Sequence, residues 1–289
     1  VLTAPAMLSV LLPRLLLAVA APARSPEAHA DDSLTTVQLP DGPIRCKKFG
    51  QLTQECLGIP FGKVERWKPP LPPTPWTAPR DATGFGPACY SADKNFGGKD
   101  GRVVKGTAGC WDAAGKETGF CSEQCLSLNV YAPRKPPAAG EKGYPVVVWI
   151  HGGGYSGGAT LGLNGTAQVE TISKGDIIWV TVNYRLNIHG FLGSEKLKGN
   201  DPSGSVGNYG LQDQRFALEW VQRSIGAFGG DKGNVMIDGS SAGGGSTANH
   251  FVNARSWPLF TKTAGESGMF ATWNTMPLES AEAHFSLAL

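Results

Sequence analysis

Residues Val235 to Gly245, VMIDGSSAGGG, carry the strongest chemical signal in the chain. Val235, Met236 and Ile237 predict a short apolar strand. Gly239-Ser240-Ser241-Ala242-Gly243 follows it, and the next residues are compatible with a helix. A G-x-S-x-G pattern between a strand and a helix is the setting of a nucleophile elbow. Attack by a serine hydroxyl needs this shape, because a tight, strained turn lifts the hydroxyl clear of the backbone. Gly239 and Gly243 flank Ser241 where a side chain would keep strand and helix apart. With 39 glycines in 289 residues the pattern alone is weak, and it recurs at Gly154-Tyr155-Ser156-Gly157-Gly158. The Ser156 copy lies in a glycine-rich loop. Only the Ser241 copy follows directly on a compact apolar strand.

A second element fits the same chemistry. His151-Gly152-Gly153-Gly154 comes straight after an apolar run ending at Ile150. Acyl transfer passes through a tetrahedral oxyanion, and backbone N–H groups must point at it. The expected donors are the amides of Gly153, Gly154 and Ala242. Losing one such donor typically raises the barrier by about 3–4 kcal/mol. A phosphate-binding loop is the competing reading, but it would end in Lys-Ser or Lys-Thr, and this one does not. His151 is expected to shape the loop rather than act as the base.

The surrounding elements would position both features. Pro145–Ile150 and Asp176–Val182 are continuous apolar runs, as expected of strands buried on both faces. Gln168–Lys174 can form a short crossover helix between them, and Gly210–Ser224 a half-buried helix. Thr35–Leu57 contains two strand-like runs, an N-terminal antiparallel hairpin. Lys68–Pro79 (KPPLPPTPWTAP) reads as an extended surface segment, and residues 91–124 as a long loop stapled by cysteines. Strands alternating with helices predict an α/β fold with a mostly parallel, doubly wound central sheet.

Composition narrows the function. Charged residues make up 17% and the net charge is +2, which argues against a nucleic-acid or polyanion partner. Residues 1–23 resemble a secretory signal, with an apolar core at Leu8–Ala20 and small-residue cleavage patterns after it. The run is shorter than the roughly 20 residues that span a bilayer, so no stable membrane insertion is expected. Residues 24–289 would form one domain. Six cysteines suit an oxidising compartment and allow fifteen pairings. Nearest neighbours would pair Cys46–Cys56, Cys89–Cys125 and Cys110–Cys121. Asn164-Gly165-Thr166 is a glycosylation sequon.

Several longer motifs, in order, resemble the type B carboxylesterases, an α/β-hydrolase family that includes cholinesterases and fungal lipases. They are Leu57-Gly58-Ile59-Pro60-Phe61 with Arg66-Trp67-Lys68-Pro69-Pro70, and Glu123-Gln124-Cys125-Leu126-Ser127-Leu128-Asn129-Val130. Asn183-Tyr184-Arg185, Gly190-Phe191-Leu192 and Gly207–Arg215 follow, and Phe228-Gly229-Gly230-Asp231 leads into the elbow. The match runs from about Gly42 to about Gly268. It implies a secreted α/β-hydrolase that cleaves small-molecule or lipid esters through an acyl-enzyme on Ser241 and needs no cofactor or metal. It favours the Cys89–Cys125 bridge, which would close a loop of about 36 residues and stabilise by about 3–4 kcal/mol. It also implies ion pairs Arg66–Glu123 and Arg185–Asp213. The oligomeric state is left open.

Two departures from the family pattern stand out. Ser240 replaces the family's glutamate before the nucleophile, so a negative charge is expected to be missing beside the site, which disfavours cationic substrates. Trp111 stands only loosely where cholinesterases carry a cation-binding tryptophan. The family's acid and histidine lie far beyond the serine, whereas only His250 and His284 follow Ser241 here. His250 should point away from the hydroxyl, and His284 lies in a divergent tail. The expectation is therefore an N-terminal half of an esterase, lacking the C-terminal half and inactive alone, with a long apolar sheet edge and poor solubility. The alternative is a non-catalytic, cholinesterase-like adhesion or binding domain.

Overall fold

The computed structural model describes residues 34–91, 110, 120–161, 164–271 and 275–288. The expected signal at residues 1–23, the start of the domain at residue 24, most of the 91–124 loop and Trp111 lie outside the described residues.

A nine-stranded sheet organises the chain in the order β1-β2-β3-β5-β7-β6-β8-β9, with β4 beside β2. The strands are β1 Leu34–Leu39, β2 Gly42–Phe49, β3 Thr53–Pro60, β4 Arg80–Asp81, β5 Ser127–Pro133, β6 Tyr144–Ile150, β7 Ile178–Val182, β8 Gly230–Gly239 and β9 Lys262–Thr263. The first run holds three strands rather than the expected hairpin of two. Pairing is antiparallel from β1 through β2, β3 and β5 to β7, and parallel from β7 through β6 and β8 to β9. The sheet is thus mixed, antiparallel on its N-terminal side and parallel from β7 to β9, the arrangement of an α/β-hydrolase. Tight turns between β1, β2 and β3 force reversal, the helical connections after β6 permit parallel neighbours, and the two-residue β4 lies parallel to β2.

The helices are α1 Gly165–Ala167, α2 Asn187–Phe191, α3 Tyr209–Ser224, α4 Ala242–Val252 and α5 Leu278–Ala288. The crossover expected at Gln168–Lys174 is α1 followed by a π-helical turn, Gln168–Ile172. Alternation along the strands divides the core. Val146, Val148, Val180 and Ile237 pack with Ala217, Leu218, Trp220 and Val221 of α3. On the other face Leu57, Tyr131 and Val169 form a smaller cluster with Trp179.

Three disulfides are present. Cys46–Cys56 ties β2 to β3, Cys89–Cys125 spans 36 positions and Cys110–Cys121 spans 11. Trp76 anchors the proline-rich segment, its indole donating to the Pro43 carbonyl at 2.7 Å. Beyond β8 the sheet continues into a short strand. Thr261, Ala264 and Glu266 donate their amides to the carbonyls of Val235, Ile237 and Gly239, covering β8 with a short polar strand. Lys262 on that strand is exposed, a usual safeguard against edge pairing.

Candidate active site

Strand β8 ends at Gly239, which is in register with Ile150 of β6. The chain then turns within two residues into α4. Ser241 sits at the bend with φ 57° and ψ −120°, a conformation that costs a serine about 1–3 kcal/mol. The turn closes because no side chain stands in its way. A Cβ on Gly243 would lie 2.0 Å from the Ile150 carbonyl oxygen, and one on Gly239 would lie 2.5 Å from the Gly243 carbonyl carbon. Glu266 fastens the bend from outside, its carbonyl accepting the Ser241 amide at 2.8 Å. The Ser241 carbonyl in turn accepts from Gly245 at 2.9 Å. Ser241 is half-buried, and no described group hydrogen-bonds its Oγ.

The 151–158 loop lies directly against this bend. A Cβ on Gly152 would come within 2.6 Å of the Ser240 carbonyl oxygen and 3.1 Å of the Ser241 Cβ. His151 is buried and shapes the loop. Its Nδ1 lies 2.9 Å from the Gly152 oxygen, and its ring stacks on Tyr184 at 4.4 Å between centroids. Tyr184 donates its hydroxyl to the His151 carbonyl at 2.8 Å, and complete burial pushes its phenol pKa far up, so it remains a donor. Gly153 and Gly154 take φ values of 116° and 61°. Among the described residues, no backbone carbonyl accepts the amides of Gly153, Gly154 or Ala242. The second G-x-S-x-G copy is part of this loop's turn. Ser156 donates its amide and its hydroxyl to the Gly153 carbonyl, at 3.0 and 3.3 Å.

Of the two histidines that follow Ser241, His250 is not free to serve it. His250 is buried on α4, its Nδ1 3.0 Å from Ser256 Oγ and its Nε2 3.1 Å from Gln214 Oε1. Gln214 spends its amide nitrogen on Ser246 Oγ, which orients its oxygen toward the imidazole. Both ring nitrogens are therefore committed, with the proton assigned to Nε2. Burial, with a smaller contribution from Arg215, pushes the His250 pKa down to about 4. His284 is exposed on α5.

The state of His250 has a consequence for stability. Between pH 6.5 and about 4 the unfolded chain binds a proton that the folded chain refuses. The contribution of His250 is thus complete above pH 6.5 and is lost progressively on acidification, reaching about 3 kcal/mol near pH 4. Urea melts from pH 7 to pH 4 should show this decline, and His250→Gln should flatten it. An equal decline in the variant would assign the loss to other groups.

An acidic residue pairs with the position that precedes Ser241. Glu266 pairs in register with Ser240 across a parallel bridge. Asp238 lies two residues before Ser240 on β8. Burial pushes the Asp238 carboxyl up, and Glu266 adds to the rise. The sequence carried no signal for this, because Glu266 is recognisable only once the segment after α4 is paired with β8.

Both ion pairs implied by the resemblance form. Arg185 binds Asp213 bidentately, with Nε to Oδ2 and Nη2 to Oδ1 each at 2.7 Å, and both residues are buried. Arg66 donates from Nε to Glu123 at 2.7 Å on the surface. Asn164 is exposed and accepts the Ala167 amide, while the Thr166 hydroxyl bonds Glu55. Beside the loop, a cleft of about 1240 Å³ extends from Gly154 to Leu278 and His284 of α5. No helix among the described residues is long and apolar enough to cross a membrane.

The family model described as the carboxylesterase family matches residues 33–288, reaching past Gly268 into α5. The chain is 39% identical over 193 residues to the fumonisin B1 esterase of Sphingopyxis macrogoltabida, covering 65% of this chain and 31% of that protein. It is 36% identical to the acetylcholinesterase of Electrophorus electricus, covering 78% of this chain and 34% of that one. Against human carboxylesterase 3 it is 35% identical, with coverage of 89% and 43%. A solved thermophilic pNB esterase superposes with a TM-score of 0.71 at 31% identity, over 88% of this chain and 48% of that one. A Geobacillus stearothermophilus carboxylesterase gives a TM-score of 0.68 at 31% identity, over 87% and 47%. The chain thus spans about half of these structures and about a third to two-fifths of these relatives.

Proposed function

The chain belongs to the carboxylesterase family, and on that premise we propose that it provides the nucleophile and the oxyanion site of a serine esterase. The observation that carries this reading is the meeting of two features. A strained Ser241 with an unengaged hydroxyl faces a loop and a helix start whose amides have no described backbone acceptor. Ser241 Oγ attacks the ester carbonyl carbon. The carbonyl π electrons move onto the oxygen, and the amides of Gly153, Gly154 and Ala242 hold that charge. The intermediate then collapses, the C–O bond to the alcohol breaks, and the alcohol leaves with a proton. Water attacks the acyl-serine in the same way and releases the acid.

A general base must take the Ser241 proton and return it to the alcohol. We place that base outside the described residues, because His250 is locked into Gln214 and Ser256 and His151 into its own loop. By itself the 289-residue chain should therefore cleave esters only slowly. Three disulfides support a secretory, oxidising location, and the exposed Asn164 suits glycosylation there. Substrates are small-molecule or lipid esters.

A fluorophosphonate probe tests the reading. A slow, single adduct on the Ser241 peptide is expected, and added imidazole should accelerate it by supplying the displaced base. Absence of an adduct on Ser241, with or without imidazole, would favour the binding-domain alternative.

A further inference from the structure

The cleft that opens at Gly154 has a one-sided charge pattern. Its wall is largely apolar, with Phe191, Leu192, Leu211 and Leu278 among the lining side chains. Its described lining contains no aspartate or glutamate, and the formally charged side chains on it are Arg215 and Arg255. His250 also lines it but is neutral at pH 7, since burial holds its pKa at about 4.

Neither guanidinium is hydrogen-bonded to an acid among the described residues, although each has one nearby. Arg215 projects from α3 with 22% of its side chain exposed, and its nearest acid is Glu219, 3.8 Å from Nε and too far for a hydrogen bond. Arg255 is exposed, and among the described residues its side chain has no hydrogen-bond partner. Asp201 is not among the lining residues. Its carboxylate is held by the amide and hydroxyl of Ser203 and by Gln212. Gln212 precedes Arg215 by one turn of α3, and Arg255 lowers the pKa of Asp201 from nearby. Both arginines are on the lining of the same cleft. A low-dielectric cleft lined by one sign of charge concentrates ligands of the other sign, and a guanidinium fork matches a carboxylate in two hydrogen bonds.

We infer that this cleft binds the part of an ester that carries a free carboxylate, with Arg215 and Arg255 gripping that carboxylate and the apolar wall holding its carbon chain. The inference rests on the reading of Ser241 as an ester-cleaving nucleophile, because Gly154 belongs to both the oxyanion loop and the cleft.

Calorimetry with two uncleavable amides tests it: N-octylsuccinamate, which is anionic, and N-octylsuccinamide, which is neutral. The unsubstituted chain should bind the anion about tenfold more tightly at low salt, as expected for charge-assisted pairing. Arg215→Gln with Arg255→Gln should remove the preference, and the paired lysine replacements should keep part of it. Arg255→Gln alone, at an exposed position, should lose a share of it even if the double variant folds poorly. Equal binding of the two amides, or a preference that the glutamine variants retain, overturns the inference. Fluorophosphonate labelling is a separate readout. Labelling without carboxylate preference removes this inference alone, whereas preference without labelling removes the hydrolase reading and leaves a carboxylate-binding cleft.

Discussion

Replacing Ser241 by glycine should abolish fluorophosphonate labelling and residual ester cleavage while making the chain more stable. The backbone at this residue, φ 57° and ψ −120°, is imposed from several sides. Glu266 holds its amide, Gly245 donates to its carbonyl, and Gly152 leaves no room for the bend to relax. Glycine adopts such a conformation without the Cβ clash, so Ser241→Gly should gain about 1–3 kcal/mol, read as a higher urea midpoint at unchanged slope. Ser241→Ala keeps the Cβ, so it should lose the chemistry without the gain. In both variants, turnover relative to the unsubstituted chain supplied with imidazole should fall by about a thousandfold or more. A glycine variant no more stable than the alanine variant would show that the bend is not strained, and the case for a built nucleophile would weaken with it.

Asp213→Asn should be the most destabilising of the charge-altering substitutions, at about 3–5 kcal/mol. Asp213 is fully buried and receives three hydrogen bonds from Arg185, two from the guanidinium and one from the backbone amide at 3.0 Å. Arg185 also donates from Nη1 to the Glu65 carbonyl at 3.2 Å. Neutralising the acid leaves a cation in the interior without its counter-charge. Replacing both partners, as Arg185→Met with Asp213→Leu, should cost less than the sum of the single changes, because no orphan charge remains. The damage should reach the site. Arg185 anchors the chain leading to Asn187, whose amide donates to the Tyr155 carbonyl at 2.8 Å and whose side chain donates to Ser156 at 2.9 Å. Labelling of Ser241 should therefore slow in Asp213→Asn even at temperatures where the chain stays folded. An unchanged labelling rate would separate the ion pair from the oxyanion loop.

Local chemistry explains what could be read without coordinates. The PVVVWI and IWVTV runs are buried strands because nothing in them tolerates water, and α3 follows from the spacing of Leu218, Trp220 and Val221. The elbow is legible because Gly239 and Gly243 leave space that no other residue type can leave. The family motifs point to the ion pairs because each partner is needed by the same packing. The count of strands before β4, and how far the antiparallel part of the sheet extends, were not legible. Pairing direction depends on where a connection returns, and apolar runs do not encode that.

The amino-acid order by itself thus determined the glycine-flanked bend at Ser241, the glycine-rich 151–158 loop and the buried strands that end at both, since each is a matter of neighbouring residue types and the room they leave. Only the tertiary structure decided which distant groups come to them. It put Glu266 beside Ser240, tied up both nitrogens of His250, and set Arg215 and Arg255 on one cleft whose described lining holds no acid. The physical reason is range. A turn or a strand answers to the few residues around it, whereas electrostatic environment and hydrogen-bond partnership are set by segments that meet only after the chain has closed on itself.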